Sequence, residues 1–272
     1  MRIRFTKVEA SGADYLVVNT ADSTCQDWPA VARALCRRRR GVGGDGLVVL
    51  SHLGHGRFTA RCVNPDGTPS PADGNALRAC TRAVHSRYGY RAVTLLSGDA
   101  SYVTAVDGAD VAVELTAADP APAPVPTQVG IGVHTVRVDG GEHAVAVVSA
   151  DELAALDVRG AGARIRRDPA FGPAGTNVGF AAVLEPGRLR LRSYERGVER
   201  ETPSSASGAI AAVLTGRVLG RIRRTEVDVE TGGGPLRVSL LGDGRARVTG
   251  TATEVFDGDA AWSPEPAVTG AR

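Results

Sequence analysis

The chain has 272 residues, of which 43% are hydrophobic and 23% charged, and its formal net charge at pH 7 is +2. This length suits one large or two modest domains, and the composition is ordinary for a globular protein. The small net charge gives no support for a nucleic-acid partner. No apolar run approaches the ~18 residues of a membrane span, and no apolar signal core follows Met1. We therefore expect a soluble, cytoplasmic protein.

The cysteine pattern argues against a metal site. The four cysteines are Cys25, Cys36, Cys62 and Cys80. They contain no Cys-x-x-Cys pair, and no histidine stands at ligand spacing. We expect four free, buried thiols in a reducing cytosol.

The first part of the chain alternates short strands with two helices. Period-two patterns and Gly or Asn turns predict strands near residues 3–7, 15–19, 46–51, 57–63, 93–96, 101–105 and 111–114. Helices are predicted over residues 28–36 and from residue 75 to about residue 85. The run Arg37–Arg40 follows the first helix, where cations complement the helix dipole. These elements predict an α+β domain over residues 1–118.

A proline- and alanine-rich segment at residues 119–126 predicts an extended linker, because proline cannot join the interior of a sheet. A second α+β domain is predicted over residues 127–250, with a short helix capped by Asp151. Its other predicted elements are strands near 134–138, 143–148, 177–183, 189–194, 227–230, 236–241 and 246–251, and a helix from 209 to about 214. Residues 251–272 are expected to form a closing strand and a frayed tail. The strand near residues 248–256 is expected to return to the first domain.

One local layout occurs twice, as a strand, a loop and the start of a helix. Residues 56–57 open the first strand with Gly-Arg and residues 68–70 give its loop Thr-Pro-Ser, while residues 187–188 and 202–204 repeat both. Repetition over a domain-sized distance indicates duplication. We expect two pseudo-symmetric domains, each a curved, mostly antiparallel sheet around a central helix. Both helix N-termini are expected to face one cleft, where their unpaired N–H groups attract anions.

The motifs resemble those of the diaminopimelate epimerase-like family, the cofactor-independent amino-acid racemase and epimerase fold. The matching segments are Phe5-Thr6-Lys7, Gly12-Ala13-Asp14-Tyr15 where the family has Gly-Asn-Asp-Phe, Gly41-Val42-Gly43-Gly44-Asp45-Gly46-Leu47, Asn64-Pro65-Asp66-Gly67, Thr176-Asn177-Val178-Gly179-Phe180, Tyr194-Glu195-Arg196-Gly197, Glu201-Thr202, Ser207-Gly208-Ala209, and Thr249-Gly250 to Phe256-Asp257-Gly258. The resemblance implies an isomerase that needs neither pyridoxal phosphate nor a metal, and so no cofactor.

The chain departs from the family at its two catalytic cysteines. Where the family has Cys-Gly-Asn-Gly-x-Arg, this chain reads Asp73 to Arg78, and Ser205 stands at the second cysteine position. Two family asparagines are replaced by Ala13 and Gly141. The resemblance therefore implies the fold, whereas the two-thiol mechanism does not carry over. The phenazine-pathway isomerases are similar in using a carboxylate and no cysteine pair.

We expect Asp73 to be the main acid or base and Ser205 to donate a hydrogen bond or relay a proton. A weak carboxylate base suits an already acidified proton, which favours one-sided proton transfer in an isomerisation, tautomerisation, elimination or cyclisation. The expected substrate is a small, carboxylate-bearing, amino-acid-like molecule. The expected substrate-binding residues are Asn64, Gly74, Asn75, Asn177, Glu195, Arg196, Ala206 and Ser207.

Two alternatives stay open. The chain could be an amino-acid epimerase or racemase with an Asp/Ser pair. It could also be a non-catalytic binder of small carboxylates, because Asp73 and Ser205 are both good helix N-caps. His143 is interpreted as a surface or core histidine rather than a base. The sequence does not decide between a monomer and a homodimer.

Overall fold

A computed structural model describes residues 1–71, 73–117 and 121–263. The helices are α1 (Trp28–Leu35), α2 (Gly74–Tyr88), α3 (Ala150–Ala155), α4 (Val158–Arg166) and α5 (Ala206–Val218). The strands are β1 (Arg2–Ala10), β2 (Ala13–Asn19), β3 (Gly46–Gly54), β4 (Arg57–Val63), β5 (Pro69–Ser70), β6 (Ala92–Ser97), β7 (Ala100–Asp107), β8 (Asp110–Thr116), β9 (Ala123–Val125), β10 (Val133–Val138), β11 (Gly141–Val148), β12 (Asn177–Glu185), β13 (Arg188–Glu195), β14 (Arg200–Thr202), β15 (Glu226–Thr231), β16 (Gly234–Leu240) and β17 (Arg245–Ala261).

The strands enclose the two long helices in two similar barrels. In the first half, β1, β2, β3, β4, β6, β7, β8 and β17 pair in sequence around α2, and β17 pairs back with β1. In the second half, β10 to β13, β15, β16 and β17 surround α5. The parallel pairs β2–β3 and β4–β6 recur as β11–β12 and β13–β15, and the hairpins around them are antiparallel. The predicted α+β fold, with two pseudo-symmetric, mostly antiparallel sheets around central helices, is confirmed.

Strand β17, at the end of the second half, also pairs with strands of the first half. Strand β17 pairs with β8 along residues 245–251 and then with β1 along residues 252–261. The predicted return of the closing strand to the first domain is confirmed, although β17 is much longer than the predicted strand over residues 246–251. Inside the predicted linker, Ala123–Val125 forms β9 and pairs with β10. An extended, proline-containing segment can do this at a sheet edge. Residues 118–120 and the predicted frayed tail after residue 263 lie outside the described residues.

The two central helices, α2 and α5, differ in composition. The interior of α5 is apolar on every side, and its residues Ala209 to Val213 are fully buried. Helix α2 buries small side chains but also carries a fully buried arginine, Arg78. It runs three residues beyond the predicted end, to Tyr88, where Gly89 takes a left-handed conformation with φ of 75°.

Two predicted helix starts were wrong. Helix α5 begins at Ala206 rather than at residue 209, because Ser205 caps it through Gly208 N–H. Helix α3 is capped by Ser149 and not by Asp151. The Ser149 hydroxyl accepts from Glu152 N–H and the Glu152 carboxylate accepts from Ser149 N–H, a reciprocal capping box. Helix α4, capped by Asp157, was not predicted.

Candidate active site

The starts of α2 and α5 meet at the junction of the two halves. A Cβ atom placed on Gly74 would lie 2.5 Å from the Ala206 Cβ, so the first residues of both helices are in contact. The Asn75 amide also donates to the Ser204 hydroxyl at 3.1 Å. Since Asp73 and Ser205 directly precede these helices, the structure brings the two predicted catalytic positions to one place, as the duplicated layout predicts.

Asp73 is held by three hydrogen-bond donors. Its Oδ1 accepts from the N–H groups of Asn75 and Ala76, each at 2.8 Å, and the Tyr15 hydroxyl lies 3.2 and 3.1 Å from its two oxygens. The residue is exposed toward the cleft, but protein surrounds the carboxylate closely enough for burial to raise its pKa. The Ala76 N–H, the Tyr15 hydroxyl, the Asn75 N–H and the Arg78 charge oppose that rise. The Asp73 carboxylate is thus held in one orientation at the start of α2.

Tyr15 is a site residue that the sequence reasoning missed. Tyr15 is 7% exposed. It occupies the position of a Phe in the resembled family, and its partner Asp73 occupies the position of a Cys. Burial, and then the charges of Asp73 and Glu195, raise the pKa of Tyr15. Its hydroxyl therefore stays protonated and donates to Asp73. The joint departure at these two positions was the signal that could have identified it.

The Tyr15→Phe variant is expected to narrow the active pH range from the acid side. The hydroxyl stabilises the ionised carboxylate, so its loss raises the pKa of Asp73 further, and a higher pH is then needed to keep the base ionised. The acid limb of the kcat/KM profile should move up by about half to one pH unit. Tyr102→Phe is the matched control, because the Tyr102 hydroxyl also donates to a carboxylate, Asp139, at 2.7 Å. An unmoved acid limb in Tyr15→Phe would show that Tyr15 does not tune Asp73.

Ser205 and Glu195 form the opposite side of the site. The Ser205 oxygen accepts from Gly208 N–H at 3.2 Å, and its hydroxyl lies close enough to the Glu195 carboxylate to influence the pKa of that group. Burial raises the pKa of Glu195 to about 7, with the Asp73 charge adding to the rise and the Ser205 and Thr202 hydroxyls opposing it. Burial therefore raises the pKa of both carboxylates, and the Asp73 charge adds to the rise at Glu195.

The predicted ligand donors are only partly free. The N–H of Asn75 donates to Asp73, and its side chain bonds Ser204 and Arg78. Its assignment as a substrate donor stays a prediction. Among the described residues, the N–H groups of Gly74, Ala206 and Ser207 have no protein acceptor. Unpaired N–H groups of this kind, at the starts of helices, are the donors that bind anions.

The remaining predicted binding residues are placed as follows. Asn64 holds its own loop by donating to the Thr68 hydroxyl at 2.9 Å. Asn177 Oδ1 accepts from Arg196 N–H at 3.0 Å, and this hydrogen bond fixes the backbone of Arg196. That side chain is exposed and makes no salt bridge within the described ranges. Arg196 is therefore available to a ligand carboxylate, whereas Asn64 and Asn177 are partly engaged.

His143 is 3% exposed and lies on β11 beside Asn177. Burial, and then the Arg196 charge, lower its pKa to about 4, so the ring is neutral at physiological pH. This agrees with its interpretation as a core histidine. A surface cavity of about 630 Å³ lies elsewhere, between β14 and β15, and neither Asp73 nor Ser205 lines it.

None of the four cysteines stands at the start of α2 or α5. All four are free and buried, as predicted. Cys80 is on α2, fully buried, and burial raises the pKa of its thiol well above the ordinary value. We expect Cys80→Ser to retain activity within about threefold if the fold is kept, because a thiol at this depth and pKa is not a nucleophile or base. Turnover and circular dichroism check this together, and a folded but inactive variant would contradict it.

The fold consists of two pseudo-symmetric barrels, and each contributes the start of its central helix to the junction between them. The carboxylates of Asp73 and Glu195 lie at the same junction. This arrangement defines the racemase and epimerase fold class. The chain belongs to the diaminopimelate epimerase family, and it is an enzyme of the epimerase and isomerase type. The family's sequence profile matches residues 135–255. The chain is 34% identical to the diaminopimelate epimerase of Halorhodospira halophila, over 94% of both chains. It is 36% identical to that of Desulforudis audaxviator, over 94% of this chain and 98% of the relative.

Solved structures share the fold at low sequence identity. A phenazine biosynthesis protein of the PhzF family from Enterococcus faecalis superposes with a TM-score of 0.70 at 14% identity, covering 96% of this chain and 100% of the other. A hydroxyproline epimerase from Agrobacterium vitis, with bound trans-4-hydroxy-L-proline, gives 0.66 at 14% identity over 95% and 91%. A methylitaconate-delta-isomerase gives 0.62 at 14% identity over 98% and 99%.

Two further observations concern the part of the chain that the structure describes. No helix there is long and apolar enough to cross a membrane. No group of three or more His, Cys, Asp or Glu side chains is arranged there so as to hold a metal ion.

Proposed function

We propose that the protein is an isomerase that moves a proton on a small, carboxylate-bearing, amino-acid-like molecule without pyridoxal phosphate or a metal. The observation that carries the proposal is the placement of the Asp73 carboxylate at the start of α2, facing the free N–H groups of the α5 start. A substrate carboxylate bound there has its neighbouring carbon beside Asp73.

The proposed reaction uses the two sides of the cleft differently. The N–H groups of Gly74, Ala206 and Ser207 hold the substrate carboxylate and the negative charge that develops on it. Asp73 takes the proton of the neighbouring carbon, becomes a neutral acid, and leaves an enolate that keeps the electron pair. The proton then returns at another carbon, either from Asp73 or from the opposite face. Arg196 pairs with a distal anionic group of the substrate.

Glu195 supports a proton path on that opposite face. It was predicted as a substrate-binding residue, but its position beside the Ser205 hydroxyl and its pKa of about 7 suit an acid–base role at neutral pH. A serine hydroxyl alone has no accessible anion, whereas Ser205 can pass a proton between Glu195 and the substrate. This pair also favours the second candidate, epimerisation by proton removal on one face and delivery on the other.

Names of relatives suggest a first panel of compounds. They include diaminopimelate, proline, 4-hydroxyproline and methylitaconate. Diaminopimelate itself is disfavoured by Ala13 and Gly141, because these positions carry no amide where the family has asparagine. We expect a branched or unsaturated carboxylate, with an acidified C–H, to be preferred.

The test is to incubate the protein with each compound and follow isomer formation by proton NMR and optical rotation. Formation of an isomer of any panel compound, sensitive to Asp73→Asn, supports the proposal. A compound that raises the unfolding temperature yet is never converted supports instead a non-catalytic binder of small carboxylates.

A further inference from the structure

Four buried polar side chains form a closed ring of hydrogen bonds where the two halves meet. Arg78 Nη2 donates to Asn75 Oδ1 at 2.6 Å, and Asn75 Nδ2 donates to the Ser204 hydroxyl at 3.1 Å. The Ser204 hydroxyl donates to the Ser11 carbonyl at 2.6 Å, and Arg78 Nη1 donates to the Ser11 hydroxyl at 3.0 Å. The exposed fractions of Ser11, Asn75, Arg78 and Ser204 are 0%, 6%, 0% and 4%. We call these four residues the helix-start ring.

The cation in this ring is unusual. Within the described residues, Arg78 has no salt-bridge partner, and its Nε has no hydrogen-bond partner. Its remaining contact is the Thr251 carbonyl at 3.2 Å. Burial lowers the pKa of Arg78 to about 10, so the guanidinium is still charged at neutral pH. The Asp73 charge lies near enough to oppose that fall in the pKa of Arg78, but it makes no ion pair with the guanidinium. A buried charge outside an ion pair is costly, and an apolar side chain would fill the same space without that cost.

Two glycines, Gly233 and Gly250, leave space for the atoms of the helix-start ring. A Cβ atom on Gly250 would lie 2.5 Å from Arg78 Nη1, and one on Gly233 would collide with the Ser11 carbonyl. Gly250 lies on β17 and Gly233 in the turn between β15 and β16. Both glycines therefore leave room for ring atoms, although neither contributes a side chain to the ring.

The ring touches both sides of the candidate active site. Asn75 follows Asp73 by two residues and donates its own N–H to the Asp73 carboxylate. Ser204 directly precedes Ser205, whose hydroxyl lies near the Glu195 carboxylate. The hydrogen bond from Asn75 to the Ser204 hydroxyl therefore links one helix start to the other.

We propose that the helix-start ring is a positioning device that fixes the separation of the two helix starts, and with it the separation of Asp73 from Ser205 and Glu195. Arg78 and Ser204 are positioning residues, because they act through Asn75, Ser11 and the helix starts and touch no reacting atom. The inference rests on the proposed function only in assigning a catalytic use to this separation.

The first test asks whether the ring is one unit. Ser11→Ala and Ser204→Ala each remove one hydroxyl. The two hydroxyls are joined through Arg78 and Asn75 on one side of the ring and through the Ser11 backbone carbonyl on the other. In urea unfolding, each single variant is expected to lower the folding constant by about 5- to 50-fold. The double variant should lose at least about threefold less than the product of the single losses, since members of one network are not additive. Additive losses would overturn the ring.

Thr215→Val provides the matched control cycle with Ser204→Ala. Thr215 is a fully buried hydroxyl on the same helix, α5, but it donates to the Ala211 carbonyl and lies outside the ring. Its combination with Ser204→Ala is expected to be additive within about twofold. Coupling of the same size in this control cycle would mean that the first cycle reports general loosening, and would also overturn the ring.

The second test asks whether the ring sets the active-site spacing. The titration of Glu195 is followed by NMR of the side-chain carboxyl carbon in protein labelled with ¹³C-glutamate, and Glu195→Gln assigns the signal. In Ser204→Ala the midpoint should fall by at least about half a pH unit, because the helix starts separate, the Asp73 charge recedes and water enters. In Thr215→Val it should not move. An unchanged midpoint in Ser204→Ala would overturn the positioning role.

These two tests use the full chain without any substrate. They therefore judge the ring even if the protein converts no compound. Conversely, a coupled ring in a protein whose Asp73→Asn variant is fully active would leave the positioning role standing and remove the proposed function.

Discussion

Asp73→Asn is expected to abolish turnover, by about 10³-fold or more, whereas Ser205→Ala is expected to keep partial activity, within about tenfold to a hundredfold of the parent. The amide is isosteric with the carboxylate and can accept the same N–H bonds from Asn75 and Ala76, but it cannot take a proton. Removing the Ser205 hydroxyl breaks a relay to Glu195 and leaves the main acid–base group untouched.

Thermal stability distinguishes a loss of activity that comes from a missing acid–base group from one that comes from a disturbed fold. Asn is about as good an N-cap as Asp, and burial raises the pKa of Asp73, so the substitution should not lower the unfolding temperature. The measurement is kcat/KM together with thermal unfolding for both variants. An equal, total loss in both folded variants would favour a two-base epimerase, and full activity in Asp73→Asn would remove Asp73 from the mechanism.

Gly74→Ala is expected to lower turnover by about 10- to 100-fold, because an added methyl group cannot fit between the helix starts. The new Cβ would lie 2.5 Å from the Ala206 Cβ, and the helices must move apart by roughly an ångström to admit it. A displacement of that size between catalytic groups is costly for rate. Gly74 has no left-handed conformation, so the added methyl group acts through space rather than through backbone strain.

A compensating change tests this explanation directly. Ala206→Gly removes the opposing methyl group, so the double variant Gly74→Ala/Ala206→Gly should recover most of the lost activity. Gly132→Ala is the control, because a Cβ there meets nothing within 4 Å. Steady-state kinetics on the four proteins check the prediction. A double variant as impaired as Gly74→Ala alone would show that the contact between Gly74 and Ala206 does not set the geometry.

The repeated local pattern predicted most of the fold. Strand β4 was predicted with its bounds, and the strand–loop–helix layout at residues 56–74 recurs at residues 187–206 with the same pairing of neighbours. Such elements are set by side-chain alternation and by helix caps, which are local properties of the chain. The same local signals placed Asp73 and Ser205 at the starts of their helices.

The features that the sequence did not reveal depend on distant contacts. Strand β17 belongs to both halves, and its residues 252–261 pair with β1, some 250 residues away in the sequence. No local pattern encodes that register. Tyr15 meets Asp73 only after the first barrel closes. Arg78 gave no sign of its burial, because an arginine in a helix is usually solvated.

The most direct measurement of the central claim is proton NMR of each panel compound incubated with the protein in D2O. A site that moves a proton by way of Asp73 and Glu195 exchanges that proton with solvent, so the predicted result is loss of the C–H signal beside the carboxylate of one compound as C–D forms. The Asp73→Asn variant should bind the same compound and leave it unlabelled. A compound that binds the parent protein tightly and acquires no deuterium, while every other compound fails to bind, would contradict proton transfer at this cleft.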